Sequence, residues 1–90
     1  MQIRLDAKLK AELVEISIRD IKLSRRIQKQ LTLFAINPKH KSLRVHKLSG
    51  ELESMWSISI TKSVRMSYLK SGEEVYFFDI GTHDEVYRKR

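Results

Sequence analysis

The sequence predicts an α+β fold in which a helical hairpin packs on one face of a twisted antiparallel sheet, in the order β-α-α-β-β-β. Three observations predict it. Apolar residues recur at helical spacing from Leu9 to Ala35, they change to a period of two at Trp56, and the single proline, Pro38, stands between the two regimes. Ninety residues suit one core, so residues 1-90 are expected to form one domain.

Ile3 and Leu5 alternate with Gln2 and Arg4, a short strand signal, and Asp6 follows where a helix N-cap belongs. Leu9, Leu13 and Ile16 then share one helical face, with Lys8, Lys10, Glu12 and Glu15 opposite. Asp20 offers a second cap, and Ile21, Ile27, Leu31, Phe34 and Ala35 continue the stripe until Asn37-Pro38 closes it. A tight junction near Arg19-Asp20 makes two helices, with one bent helix as the alternative. Trp56, Ile58 and Ile60 alternate with Ser57, Ser59 and Thr61, which describes a strand with one buried face. Val64 to Leu69 makes a second strand, Ser71-Gly72 a turn, and Val75 to Ile80 a third strand, all joined tightly enough to pair antiparallel. Gly81 ends that run, and His83 to Tyr87 reads as a turn or short helix. Residues 39 to 53 read as a loop or a short strand.

Cysteine is absent, so no disulfide or thiolate metal site holds the chain. His40, His46 and His83 lack the i, i+4 spacing of a zinc helix, and no metal or other cofactor is expected. No apolar run approaches the ~20 residues that span a bilayer, so a soluble, cytoplasmic protein with no membrane partner is expected. The charge is uneven. Eighteen Lys and Arg face eleven Asp and Glu, a net +7, and from Ile21 to Gly50 there is no acid at all. Such a field attracts polyphosphate or an acidic protein, and composition does not choose between them.

The motifs go further. Asn37-Pro38, Leu43-Arg44-Val45-His46-Lys47-Leu48-Ser49-Gly50, Trp56-Ser57-Ile58, Val64-Arg65-Met66-Ser67-Tyr68 and Ile80-Gly81-Thr82-His83-Asp84-Glu85-Val86-Tyr87 occur in that order, and together they resemble the RelE/ParE toxin superfamily over essentially the whole chain. The resemblance implies a RelE-like fold and a YafQ- or RelE-type mRNA interferase. Such a toxin is a ribosome-dependent endoribonuclease of a type II toxin-antitoxin system, silenced by a cognate acidic antitoxin. Its implied partners are that antitoxin and mRNA on the ribosome. Attack by the ribose 2′-OH on the adjacent phosphorus leaves a 2′,3′-cyclic phosphate, which calls for a proton acceptor, a proton donor and positive charge beside the phosphorane.

His83 matches the histidine of the family's Gly-Thr-His motif, and an imidazole with an unperturbed pKa of ~6.5 can do acid or base work near neutrality. Its plainer role would be to cap the turn through Thr82 and Asp84. Tyr87, four residues on, would share a helical face with it and stack on a base or orient the phosphate. The alternative packs the Tyr87 ring on the sheet edge. Arg65 matches the arginine of the family's Arg-x-x-Tyr strand and suits bidentate phosphate contact, against the alternative of a surface pair with an acid such as Asp79. His46 matches a catalytic histidine of the YafQ-like branch, or belongs to a structural loop signature. Lys41, Arg44, Lys47 and Lys62 supply a phosphate track that positions RNA without reading it.

The pattern also departs from the family. RelE-type lysines on the strand after Trp56 are replaced by Ser57 and Ser59, and the histidine and aspartate of the YafQ branch fall near Ile60 and Ser63. Serine cannot replace the charge of lysine. Two other functions therefore stand beside the nuclease: a ParE-like inhibitor of DNA gyrase, and a catalytically impaired RNA- or ribosome-binding module of the same fold.

Overall fold

Asp6 ends the first strand and begins the first helix. In the computed structural model, which describes residues 1–48 and 55–82, its Oδ2 accepts from the backbone N–H of Lys8 at 3.0 Å and of Leu9 at 3.3 Å. This satisfies N–H groups that a first helical turn leaves orphaned. Tyr76 donates to the other oxygen, Asp6 Oδ1, at 2.8 Å and ties the helix start to the sheet. Strand β1 spans Gln2–Leu5 and helix α1 spans Ala7–Arg19. Asp20 then works in both directions. Its N–H donates to Ile16 O at 2.8 Å, and its Oδ1 accepts from Leu23 N at 3.1 Å. One residue thus closes α1 and opens α2, Ile21–Ile36, so the hairpin is two helices.

After Asn37 the chain makes a single turn of 3₁₀ helix, Lys41–Leu43, and a two-residue strand β2, His46–Lys47. Strands β3 (Met55–Ser59), β4 (Val64–Ser71) and β5 (Glu74–Thr82) follow, with Gly72 at φ 57° turning the chain from β4 into β5. The sheet order is β1-β5-β4-β3-β2. Every pair is antiparallel except β1 with β5, which is parallel. Tight turns dictate the antiparallel pairs. The crossover through the helical hairpin frees β1 from that constraint, and it adds to the far edge.

The main core lies between the helices and one face of the sheet. Leu9 and Ile16 of α1 and Ile27 and Phe34 of α2 pack on Ile58, Met66, Tyr68, Val75, Phe77 and Ile80. Phe34, Tyr68 and Phe77 form an aromatic centre with ring centroids 5.1 to 5.6 Å apart. Two residues expected in the α2 stripe are outside it: Ile21 is 57% exposed, and Ala35 is exposed. Gln30 takes a buried place instead, donating to Ser59 O at 2.9 Å. The opposite face, helix-free among the described residues, carries a smaller cluster, Leu48 and Met55 with Leu69 and Phe78. The pleat sets this division, because Met55, Leu69 and Phe78 each precede or follow a residue of the main core. A bulge sharpens it: Ser67 pairs with Asp79 and Tyr68 with Phe77, leaving Phe78 as the extra residue of β5.

Candidate functional site on the helix-free face of the sheet

A row of polar residues crosses the helix-free face where the sheet would otherwise be apolar. Ser57 of β3 pairs with Ser67 of β4, and Ser67 pairs with Asp79 of β5. Arg65, two residues before Ser67, belongs to the same face.

Arg65 is 7% exposed, and its guanidinium is held in place. Nε donates to Ser57 Oγ at 2.9 Å, and Nη2 donates to Ser57 O at 3.2 Å and Arg44 O at 2.6 Å. The backbone of Arg65 lies opposite Ser59, so the side chain reaches diagonally to Ser57. The Arg44 carbonyl is presented by a left-handed backbone, φ 44° and ψ 54°, which is uncommon away from glycine. One side chain thereby joins β4, β3 and the basic segment before β2. A guanidinium fixed in this way keeps its charge and its plane, the two properties a phosphate contact requires.

His46 stands on β2 directly opposite Ser57. Directly opposed residues of an antiparallel pair point to the same face, so His46 and Arg65 both belong to the helix-free side, with Ser57 between them. His46 is exposed. Lys47 pairs with Trp56 and points to the other side, away from His46. Lys41 is exposed in the 3₁₀ turn, Arg44 exposes its side chain while its carbonyl holds Arg65, and Lys62 is exposed between β3 and β4. The sheet therefore puts Arg65 and His46 on one face, with the Arg44 carbonyl against Arg65, and separates Lys47 from them. His83 and Tyr87 lie outside the described residues, as do Ser49 and Gly50; β5 is described to Thr82, which pairs with Val64.

Two features escaped the sequence. Ser57, a departure from the family pattern, is fully buried and anchors the arginine, so the β3 strand is covered on both faces there. Its alternation with Ile58 did place it on the Arg65 face, and that was the available signal. Ser67 Oγ is buried with no hydrogen-bond partner among the described residues, in the middle of the polar row. His40 also gains a role, accepting the Ser42 N–H at Nδ1, 3.1 Å, to cap the 3₁₀ turn. Among the described residues no group of three or more His, Cys, Asp or Glu could hold a metal. No described helix is long and apolar enough to cross a membrane.

No family model matches the sequence, and neither does any curated protein. Solved structures do match. A YoeB/ParE toxin from Agrobacterium tumefaciens superposes with a TM-score of 0.75 at 18% identity, covering 92% of this chain and 99% of the other. YafQ from E. coli strain BL21(DE3) gives 0.72 at 14% identity, over 96% of this chain and 97% of the other. YoeB in its heterotetrameric complex with the antitoxin YefM, from Staphylococcus aureus, gives 0.74 at 17% identity, over 92% and 97%. The chain has the fold of the YoeB and YafQ toxins.

Proposed function

We propose that the chain is the toxin of a type II toxin-antitoxin pair and acts as a ribosome-dependent mRNA endoribonuclease. The ribose 2′-OH forms a bond to the adjacent phosphorus, the bond to the 5′-oxygen breaks, and a 2′,3′-cyclic phosphate and a 5′-hydroxyl result. Arg65 supplies positive charge beside the phosphorane, and an imidazole pair, His46 and His83, takes the 2′-OH proton and returns one to the leaving oxygen. Tyr87 stacks on a base or orients the phosphate, while Lys41, Arg44 and Lys62 position the strand; Lys47, on the opposite side of the sheet, drops out of that track.

One observation carries this reading: a pinned guanidinium and an exposed imidazole flank the same serine on a sheet face that no described helix covers. The test is primer extension on mRNA from induced cells, with the cleaved ends assayed for cyclic phosphate. Cuts at codon positions, lost in a folded His83→Ala variant together with growth arrest, are expected. Growth arrest that persists in folded His83→Ala, with no cyclic phosphate in either case, would remove the assignment.

The YoeB neighbour bound to YefM motivates the partner in this reading, an acidic antitoxin encoded beside the toxin. Val14, Ile18 and Ile21 are 59%, 80% and 57% exposed around the hairpin junction, with Lys10 and Arg19 near them in sequence. An amphipathic helix with acidic flanks suits such a surface. The replacement of the family lysines by Ser57 and Ser59 favours a second reading, a toxin of this fold that binds without cutting, as a gyrase inhibitor or a ribosome-binding module. Replication arrest preceding translation arrest on induction would favour the gyrase form.

A further inference from the structure

We infer that the outer face of α2 is a binding surface for the phosphate backbone of duplex nucleic acid, separate from the Arg65 face of the sheet. The inference does not rest on cleavage. Lys22, Arg25, Arg26 and Lys29 fall at i, i+3, i+4 and i+7 of α2, so all four cations lie on one side of the helix within two turns. All four are exposed, and α2 contains no acidic residue. None of the four makes an ion pair among the described residues. Each cation therefore has like-charged neighbours three and four positions away, an arrangement that opposes helix formation and that interspersed acids would relieve.

The stripe is held rigidly to the domain. Arg26 Nε donates to Ile60 O at 2.9 Å, and Gln30, one turn on, donates to Ser59 O at 2.9 Å. These bonds set the stripe beside the β3–β4 turn. A shallow cleft of about 380 Å³ lies there, lined by Lys22, Arg26 and Thr61 among others. Asp20 also lines it, with its Oδ1 occupied by the Leu23 N–H that it caps. Since α2 packs on the face of the sheet opposite Arg65, this surface and the candidate site are distinct.

The chemistry selects the ligand. An acidic protein helix would need exposed apolar anchors within the charged field; between Lys22 and Lys29 the apolar residues Leu23 and Ile27 are half-buried and buried, and the exposed Ile18 and Ile21 precede the stripe. Single strands are held by aromatic platforms, and the one aromatic residue of α2, Phe34, is buried in the core. A rigid row of cations with no exposed apolar or aromatic anchor between them matches backbone contact to a duplex, which positions a protein without reading sequence.

The test compares two triple variants that remove the same charge. Lys22→Gln, Arg25→Gln and Lys29→Gln strip the face, leaving Arg26 to clamp the helix; Lys8→Gln, Lys10→Gln and Lys70→Gln are the control. Binding to labelled duplex RNA, duplex DNA, single-stranded RNA and polyglutamate is followed by anisotropy across a salt series. The stripe variant is expected to bind duplexes at least ~10-fold more weakly, with the log–log salt slope reduced by roughly 2 to 3, while the control keeps the wild-type slope. A duplex RNA preference over DNA assigns the source, and equal binding assigns the backbone alone. Equal losses in both variants would overturn the inference, as would tighter wild-type binding to single strands or polyglutamate. Should the triple variant fail to fold, Lys22→Gln and Lys29→Gln singly carry the test, each expected to lower the slope by about one. Duplex binding that survives Arg65→Lys separates this surface from the cleavage reading, whichever way cleavage turns out.

Discussion

Arg65 and Ser57 are joined through both oxygens of the serine: Nε meets Oγ at 2.9 Å and Nη2 meets the carbonyl at 3.2 Å. The serine is the seat of the arginine. Ser57→Ala removes one acceptor from a buried charged donor, and a lost hydrogen bond of that kind costs about 1–3 kcal/mol. Thermal unfolding should register the loss, together with weaker activity. Ser57→Lys, which introduces the lysine of the RelE-type pattern, should do more harm, because it buries a second cation against the guanidinium at a position with 0% exposure. Ser59, half-buried, should tolerate lysine better. A stable, fully folded Ser57→Lys variant would contradict the role given to Ser57.

Arg65→Lys tests the guanidinium itself. Lysine keeps the charge and loses the planar fork that spans Ser57 and Arg44. In the nuclease reading the cleavage rate should fall by about 10²–10³, the scale of removing one preorganised charge donor, with substrate binding much less affected. Single-turnover cleavage on programmed ribosomes separates the two effects. An unchanged rate in a folded Arg65→Lys protein would remove Arg65 from the phosphorane.

Asp6 and Asp20 were legible as caps because capping is local chemistry, written in the residues next to the helix. The β3 alternation was legible for the same reason. The partner of β1 was not: it is set by a crossover through two helices, and nothing in Gln2–Leu5 encodes a parallel neighbour. Helical spacing put Ile21 in the core, yet a residue in the first turn has solvent where later turns have sheet. The site was half legible. Residue type marked Arg65 and His46, but the link between them runs through Ser57, which charge reasoning discounts, and through a carbonyl freed by the backbone of Arg44. A carbonyl has no residue type to mark it.

Ser67 gives a cleaner test of the polar row. Its hydroxyl is buried and meets no hydrogen-bond partner among the described residues, so the folded state retains a desolvation penalty that alanine would remove. Ser67→Ala should leave stability unchanged or raise it by up to about 1 kcal/mol, read from denaturant midpoints at constant m. If that variant is as stable as wild type but slower in cleavage, the hydroxyl contacts RNA. A destabilisation would show instead that the hydroxyl has a partner in solution.

Two tyrosines of the sheet, the buried Tyr68 and the exposed Tyr76, predict how stability responds to alkali. Burial pushes the Tyr68 hydroxyl up to about 12, and the hydrogen bond to Asp6 raises Tyr76. A group whose folded pKa lies above its unfolded value holds its proton more tightly when folded, so its contribution is complete below the unfolded value, near 10, and drains away as pH rises through the folded one. Stability should therefore be flat up to about pH 10 and fall between there and about pH 12. Tyr68→Phe keeps the ring against Phe34 and Phe77 and removes the proton, so it should flatten most of that fall. The same bond lowers Asp6, with the opposite sign. Its contribution is present above the usual carboxylate range and is lost as pH drops through the depressed folded value, so Tyr76→Phe should blunt the acid limb and leave the Tyr68 part of the alkaline limb in place. Denaturant titrations of the three proteins across pH separate these contributions, and an alkaline limb unchanged in Tyr68→Phe would show that Tyr68 is not the group that titrates.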